Sequence, residues 1–150
     1  MEAGDRAPDF ELPAATGTVR LSDLLALGKV LLAFYMEDNT PLCSNEVQML
    51  KNDHDVIRAL GANVLAISAD SPGSHRDFAE RLSGVPFPLA SDEDLAVAEQ
   101  YGVTDHDAKK SRRAVFVLDG DGTVLHAEPW FQPGNPAQYE AIFRALGFEG

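Results

Sequence analysis

Apolar residues run without a break from Val30 to Met36 in "KVLLAFYM", and again through most of "NVLAISA". Runs of that length and continuity imply strands covered on both faces. Between them Val47, Leu50, Ile57 and Leu60 recur at helical spacing, which predicts one helix from Pro41 to Leu60 with Gly61 as its stop. "SPGSHRDFAERL" predicts a second helix with Pro72 in its first turn. "VPFPLASD" reads as extended, and "DEDLAVAEQYG" as a helix ended by Gly102. "RAVFVLDGDGTVLHAEP" alternates around Asp-Gly turn residues and predicts a hairpin. A last helix covers Pro136 to Leu146 and closes on Gly147; near the start, "GTVRLSDL" reads as a short strand and a helical turn capped at Ser22.

The resulting order, β-α-β-α-(β)-α-β-β-α, implies a mixed sheet with helices on both faces, the α/β class. A hairpin following a βαβ unit is the order of thioredoxin-like folds. The 150 residues fit one domain with a real core, and no repeat, low-complexity tract or Gly/Ser linker divides them. The longest apolar run is far too short to span a bilayer. "MEAGDRAPDF" carries acids where a signal peptide needs a basic and then an apolar stretch, so a soluble, cytoplasmic protein is expected.

Charge narrows the partners. With 24 acidic and 12 basic residues the chain carries a formal charge of -12, which repels DNA, RNA and anionic membranes. The one basic cluster, "KKSRR" at Lys109 to Arg113, reads as a solvated loop face. A single cysteine rules out an intrachain disulfide, a zinc knuckle or a CxxC couple.

That cysteine sits in "NTPLCSNE". Thr40 suits an N-cap and Pro41 the first helical position, which puts Cys43 at the third. A capping box would carry Glu or Gln there; here a thiol faces the unpaired N–H groups and the positive end of the helix dipole. Such a position favours a thiolate and suits a nucleophile or a redox sulfur, packing at the helix start being the ordinary alternative. The Thr40 hydroxyl lies on the same turn, free to donate to the sulfur. His54 follows on the same helix, about 16 Å along the axis, too far to act as its base, and reads as a core-edge histidine. His75, His106 and His126 could approach only through the fold. A thiol that attacks a peroxide needs no such base.

Other signals carry less. "DGDG" at Asp119 lacks the glycine and glutamate of a calcium loop, having Val124 and Trp130 there, and reads as the hairpin turn. The "DHD" at Asp105 to Asp107 reads as a loop rather than a metal site. No Gly-rich phosphate loop is present, so neither nucleotide nor other cofactor is expected. Trp130 and Phe131, in a Pro-bounded loop, read as core packing, with a docking surface as the sharper alternative.

"FYMEDNTPLCSNE" resembles the active-site loop of peroxiredoxins, above all the bacterioferritin-comigratory or Q-type branch with its FYPxDxTPxCTxE. "GDRAPDFELPAATGTVRLSDLL", "ISADSPGSHRDFAERL", "FPLASDEDLAVAEQYGV" and "RRAVFVLDGDGTVLHAE" extend the resemblance over almost the whole chain. It implies a thioredoxin-like fold and reduction of hydrogen peroxide and organic hydroperoxides by thiols. Cys43 would be the peroxidatic thiol, Thr40 the hydroxyl that orients peroxide and sulfur, and Pro41 part of the same helix start. Arg113, three residues before Phe116, would be the active-site arginine, with Arg112 as the alternative register. Glu46 would support the site by a hydrogen bond. Two positions depart from the pattern. Met36 replaces the proline that shields the pocket, and Gln48 replaces the resolving cysteine found five residues after the first. The implied enzyme is therefore of the one-Cys kind and returns through an external thiol: thioredoxin, glutaredoxin or a low-molecular-weight thiol. Monomer and homodimer both remain open. Met36 and Gln48 favour an alternative, a peroxide sensor with little turnover, which the intact Thr40, Cys43 and Arg113 oppose. An inert thioredoxin-like scaffold would need those three to coincide by chance.

Overall fold

The computed structural model describes residues 1–15, 17–105 and 109–148. Its elements run β1 (Glu11–Ala14), β2 (Gly17–Arg20), α1 (Leu21–Leu25), β3 (Lys29–Phe34), α2 (Pro41–Asn52), α3 (His54–Ala59) and β4 (Ala62–Ser68). There follow α4 (Pro72–Arg81), β5 (Leu89–Ser91), α5 (Ala96–Gln100), β6 (Ala114–Leu118), β7 (Val124–Glu128) and α6 (Pro136–Ala145). Among the described residues the strands form one mixed seven-stranded sheet in the order β2-β1-β5-β4-β3-β6-β7. The pairs β3–β4 and β4–β5 are parallel and the others antiparallel. This is the thioredoxin-like α/β architecture.

The two continuous apolar runs, β3 and β4, lie at the centre, where both faces need covering. Alternate residues point to opposite sides. Leu32, Phe34, Leu65, Ile67 and Phe116 join residues of α1 and α5 on one face; Leu31, Ala33, Tyr35, Val64 and Val115 join residues of α2, α3, α4 and α6 on the other. Each side chain of this size contributes about 1.5–3 kcal/mol by burial. At the foot of the central pair, Gly28 adopts φ +142, and a Cβ there would lie 2.4 Å from the Gly61 carbonyl oxygen. Only glycine permits that approach.

Several local expectations change. The helix drawn from Pro41 to Leu60 is two helices, broken at Asp53 (φ -98, ψ 7). The Asp53 carboxylate accepts a 2.6 Å hydrogen bond from Tyr139 of α6, a contact the local sequence does not announce. Ser22 is inside α1 rather than its cap; Arg20 holds the cap position and the Asp9 carboxylate accepts the Ser22 N–H at 2.9 Å. The helix read in "DEDLAVAEQYG" shortens to α5, because Leu95 turns to φ +62 and Asp92 accepts the N–H groups of Val97 and Ala98. Strand β1 was not anticipated: its four residues alternate in burial, but too briefly to show as a period. The Asp-Gly hairpin turn is present, with Gly122 at φ +89 and Asp119 N–H bonded to the Thr123 carbonyl. No helix among the described residues is long and apolar enough to cross a membrane.

Candidate active site

Strand β3 delivers the chain to the start of α2 through six residues, Tyr35 to Thr40. Asn39 takes φ +66, a left-handed turn that asparagine tolerates better than most side chains. Thr40 is extended, Pro41 occupies the first turn, and the Ser44 N–H makes the bond to the Thr40 carbonyl at 2.8 Å. The amides preceding Ser44 thus lack helical acceptors. Cys43 lies among them, at the positive end of the helix dipole, and is 1 % exposed. The Thr40 side chain does not cap the helix; its hydroxyl donates to the Glu37 carbonyl at 3.1 Å.

The pairing of Phe34 with Ala114 brings Arg113, just before β6, alongside the loop that follows β3. Its Nη1 donates to Met36 Sδ at 3.3 Å, while its Nε is buried with no hydrogen-bond partner. Arg112 turns elsewhere: it lies 3.8 Å over the Trp130 ring and donates to the Gly102 carbonyl at 2.7 Å. One turn beyond Cys43, Glu46 is fully buried and neither carboxyl oxygen has a hydrogen-bond partner. Burial pushes its carboxyl well above the usual range; negative charge on Cys43 pushes the same way, and the Arg113 guanidinium opposes both. The hydrogen bond expected of Glu46 is therefore not made, although Cys43 and Arg113 each lie within electrostatic reach of its carboxyl.

Met36, Arg112, Arg113, Trp130, Phe131 and Gln132 wall a cavity of about 280 Å³, with Asp105 also on its wall. Phe131 belongs to the same buried cluster as Cys43 and Met36 packs against that cluster, while Cys43 itself is not on the cavity wall. The two loop aromatics divide the roles expected of them: Phe131 is buried and Trp130 is 65 % exposed. A larger groove of about 730 Å³, bounded by Arg6, Asp9, Gly120 and Asp121, contains none of these residues. The "KKSRR" stretch is not merely a solvated face. Lys110 pairs with Glu37 at 2.5 Å, and the buried Ser111 hydroxyl donates to the Tyr35 carbonyl at 2.7 Å.

Beneath the loop lies a buried polar network that the sequence reading missed. Asp38 accepts from the Tyr35 hydroxyl at 2.5 Å and from the Ser74 hydroxyl at 2.7 Å, and its Oδ2 lies 2.9 Å from His75 Nδ1. His75 Nε2 faces the Ala90 carbonyl at 3.0 Å, an atom that can only accept. Both ring nitrogens therefore face hydrogen-bond acceptors. The Asp38 N–H donates to Asp70, whose carboxylate also accepts from Ser68. Ligand atoms of Asp38, Asp70 and His75 come within 4.8 Å of one another, but these hydrogen bonds already occupy them. The available sequence signal was that Tyr35 and Asp38 belong to the quoted loop and His75 to a quoted block.

No described histidine is bonded to the thiol. His54 packs on Phe87, with burial and then Arg58 lowering its pKa, and His126 pairs with Glu128. His106 and Asp107 lie outside the described residues. Gln48, at the place of the resolving cysteine, is bonded to Asn52 at 2.9 Å on the exposed face of α2.

Known proteins match this arrangement. Residues 3–127 match the AhpC/TSA family. Peroxiredoxin Bcp of Escherichia coli (strain K12) is 35 % identical over 142 residues, covering 90 % of each chain. A bcp-type relative from Coxiella burnetii is 36 % identical over 135 residues, 86 % of this chain and 89 % of its own. The crystal structure of Peroxidoxin BcpB from Mycobacterium tuberculosis superposes with a TM-score of 0.89 at 33 % identity, covering 100 % of this chain and 99 % of that one. These relatives do not favour a sensor with little turnover. With a lone thiol at a helix start and Bcp peroxiredoxins among the proteins it matches over most of its length, the chain belongs to the AhpC/TSA family as a thiol-dependent peroxidase of the Bcp peroxiredoxin kind.

Proposed function

We propose that Cys43 is the peroxidatic thiol of a one-Cys enzyme and that Arg113 is its activating cation. The carrying observation is that the chain's one thiol sits in the first turn of α2, and that it and the Arg113 guanidinium both lie within electrostatic reach of the buried Glu46. Cys43 thiolate attacks one peroxide oxygen; the S–O bond forms as the O–O bond breaks, and the departing oxygen leaves as water or alcohol after taking a proton. Arg113 stabilises the thiolate and the oxygen as charge develops on it. Thr40 orients the peroxide once its hydroxyl leaves the Glu37 carbonyl, Pro41 fixes the helix start, Glu46 packs one turn behind Cys43 as a buried supporting residue and Met36 shields the pocket.

The resulting sulfenic acid meets no second thiol in the chain. An external thiol displaces water to form a mixed disulfide, and a second thiol releases Cys43 and leaves as the disulfide. Thioredoxin, glutaredoxin and low-molecular-weight thiols all fit this step, in the reducing cytoplasm and on a monomer or homodimer. Stopped-flow mixing with hydrogen peroxide, then with each thiol class, tests the scheme. Cys43→Ser should consume no peroxide while staying folded; consumption at the parent rate would sink it.

A further inference from the structure

Met36 stands where the resembled motif has proline, and it is half-buried on the wall of the cavity of about 280 Å³. Its thioether accepts the Arg113 Nη1 hydrogen bond. We propose that Met36 is a second site of peroxide oxidation, and that its sulfoxide holds Arg113 and shuts the enzyme down until it is reduced. The shutdown rests on the reading of Cys43 and Arg113 given above; the oxidation site does not.

A peroxide entering the cavity finds Met36 on its wall, whereas Cys43 is 1 % exposed and is not part of that wall. Sulfur has two lone pairs, and Arg113 engages one of them at 3.3 Å. The other is free to attack. The same guanidinium has further donors, among them a buried Nε with no partner, for the oxygen that leaves. In the step the thioether forms an S–O bond as the O–O bond breaks. Sulfur gives up two electrons, the peroxide takes them, and the peroxide proton ends on the departing water or alcohol. No other reactant is needed.

The product changes the site. A sulfoxide oxygen is a much better acceptor than a thioether, and its bond to a guanidinium is charge-assisted. Arg113 is then held at residue 36 instead of reorganising around peroxide and Cys43. Thiols that return a sulfenic acid do not reduce a methionine sulfoxide; that takes the epimer-specific methionine sulfoxide reductases.

The test begins with Cys43→Ser, which removes the competing thiol. After timed exposure to hydrogen peroxide, peptide mapping compares Met36 with Met1 and Met49, both partly buried against the core. Met36 should be converted about tenfold faster, equivalent to about 1.4 kcal/mol of barrier; conversion no faster than the other two overturns the proposal. The unsubstituted protein is then cycled with peroxide and thiol until its rate falls. Treatment with both sulfoxide reductases should restore much of the rate, and added thiol should not. Met36→Leu, measured against its own starting rate, should lose the reductase-recoverable part. Identical, unrecoverable inactivation in both proteins would refute the switch and assign the loss to Cys43 overoxidation. No peroxide consumption by the unsubstituted protein would overturn the Cys43 reading and the shutdown together, while the mapping result would still decide the oxidation site.

Discussion

Asp38→Asn removes one charge from the network under the active-site loop while keeping the side-chain shape. The Asp38 and His75 side chains are 1 % and 0 % exposed, so the variant leaves the buried His75 ring without the carboxylate that faces its Nδ1. Removing one member of a buried pair costs about 3–5 kcal/mol. Asparagine retains one acceptor oxygen but turns an amide towards hydroxyls that were donating, so the low end, about 3 kcal/mol, is expected. For a chain of this size that lowers Tm by about 6–12 °C. The pH dependence has a definite sign. Burial alone pushes the Asp38 carboxyl up, but hydrogen bonds from His75 and Tyr35, the His75 charge and Ser74 outweigh it and leave the pKa below its ordinary 3.8. A carboxyl lowered by folding adds stability that is present above its unfolded value and lost as pH falls through the folded one. The stability gap between parent and variant should therefore be full at pH 6 and narrow below about pH 4. Urea unfolding followed by far-ultraviolet circular dichroism across that range measures it. A loss under about 1 kcal/mol, or a gap that ignores pH, would refute the buried ion pair.

Arg113→Ala should slow both the peroxide reaction and alkylation of Cys43 at pH 7 by tenfold or more, on the order of a lost charge-assisted contact, and Arg112→Ala far less; equal small effects would put the arginine in the wrong register. Glu46→Gln should stabilise the protein at pH 7. Because folding raises the Glu46 pKa, the folded state keeps a proton the unfolded state releases, and parent stability should fall by up to about 1.4 kcal/mol per pH unit above the ordinary 4.5, a slope the variant should lose. Parallel pH profiles would mean that Glu46 is ionised in place. One equivalent of peroxide without thiol should add one oxygen, roughly sixteen daltons, captured by a sulfenic-specific trap at Cys43; rapid conversion to a covalent dimer with nothing trapped would transfer resolution to a second copy's Cys43.

What could be read from the sequence was what neighbouring residues decide among themselves. β3 and β4 announced themselves because each carries an unbroken apolar run, Val30 to Phe34 and Val64 to Ile67, and the Thr40-Pro41 pair placed Cys43 in the first turn because caps act within four residues. The break at Asp53 could not be read, since Tyr139, which holds its carboxylate, is 86 residues away. The choice between Arg112 and Arg113 turned on strand register, Phe34 opposite Ala114, and no local pattern carries that. His75 shows the same limit: its partner Asp38 lies 37 residues upstream, and only the crossover from β3 to β4 and α4 brings them together. The Thr40 hydroxyl was placed on the right turn, but its bond to the Glu37 carbonyl depends on the path of the loop.

On the proposed role of Cys43, its depth sets how the enzyme sorts peroxides. A sulfur 1 % exposed is reached through fluctuations of the buried cluster around it, Phe131 among its members. Small excursions are frequent and large ones rare, so hydrogen peroxide finds an opening often and a long-chain hydroperoxide seldom. Discrimination by size is then kinetic, written in the amplitude of a breathing motion. It should weaken on warming, as wide openings become common, and sharpen in any variant that packs Phe131 more tightly.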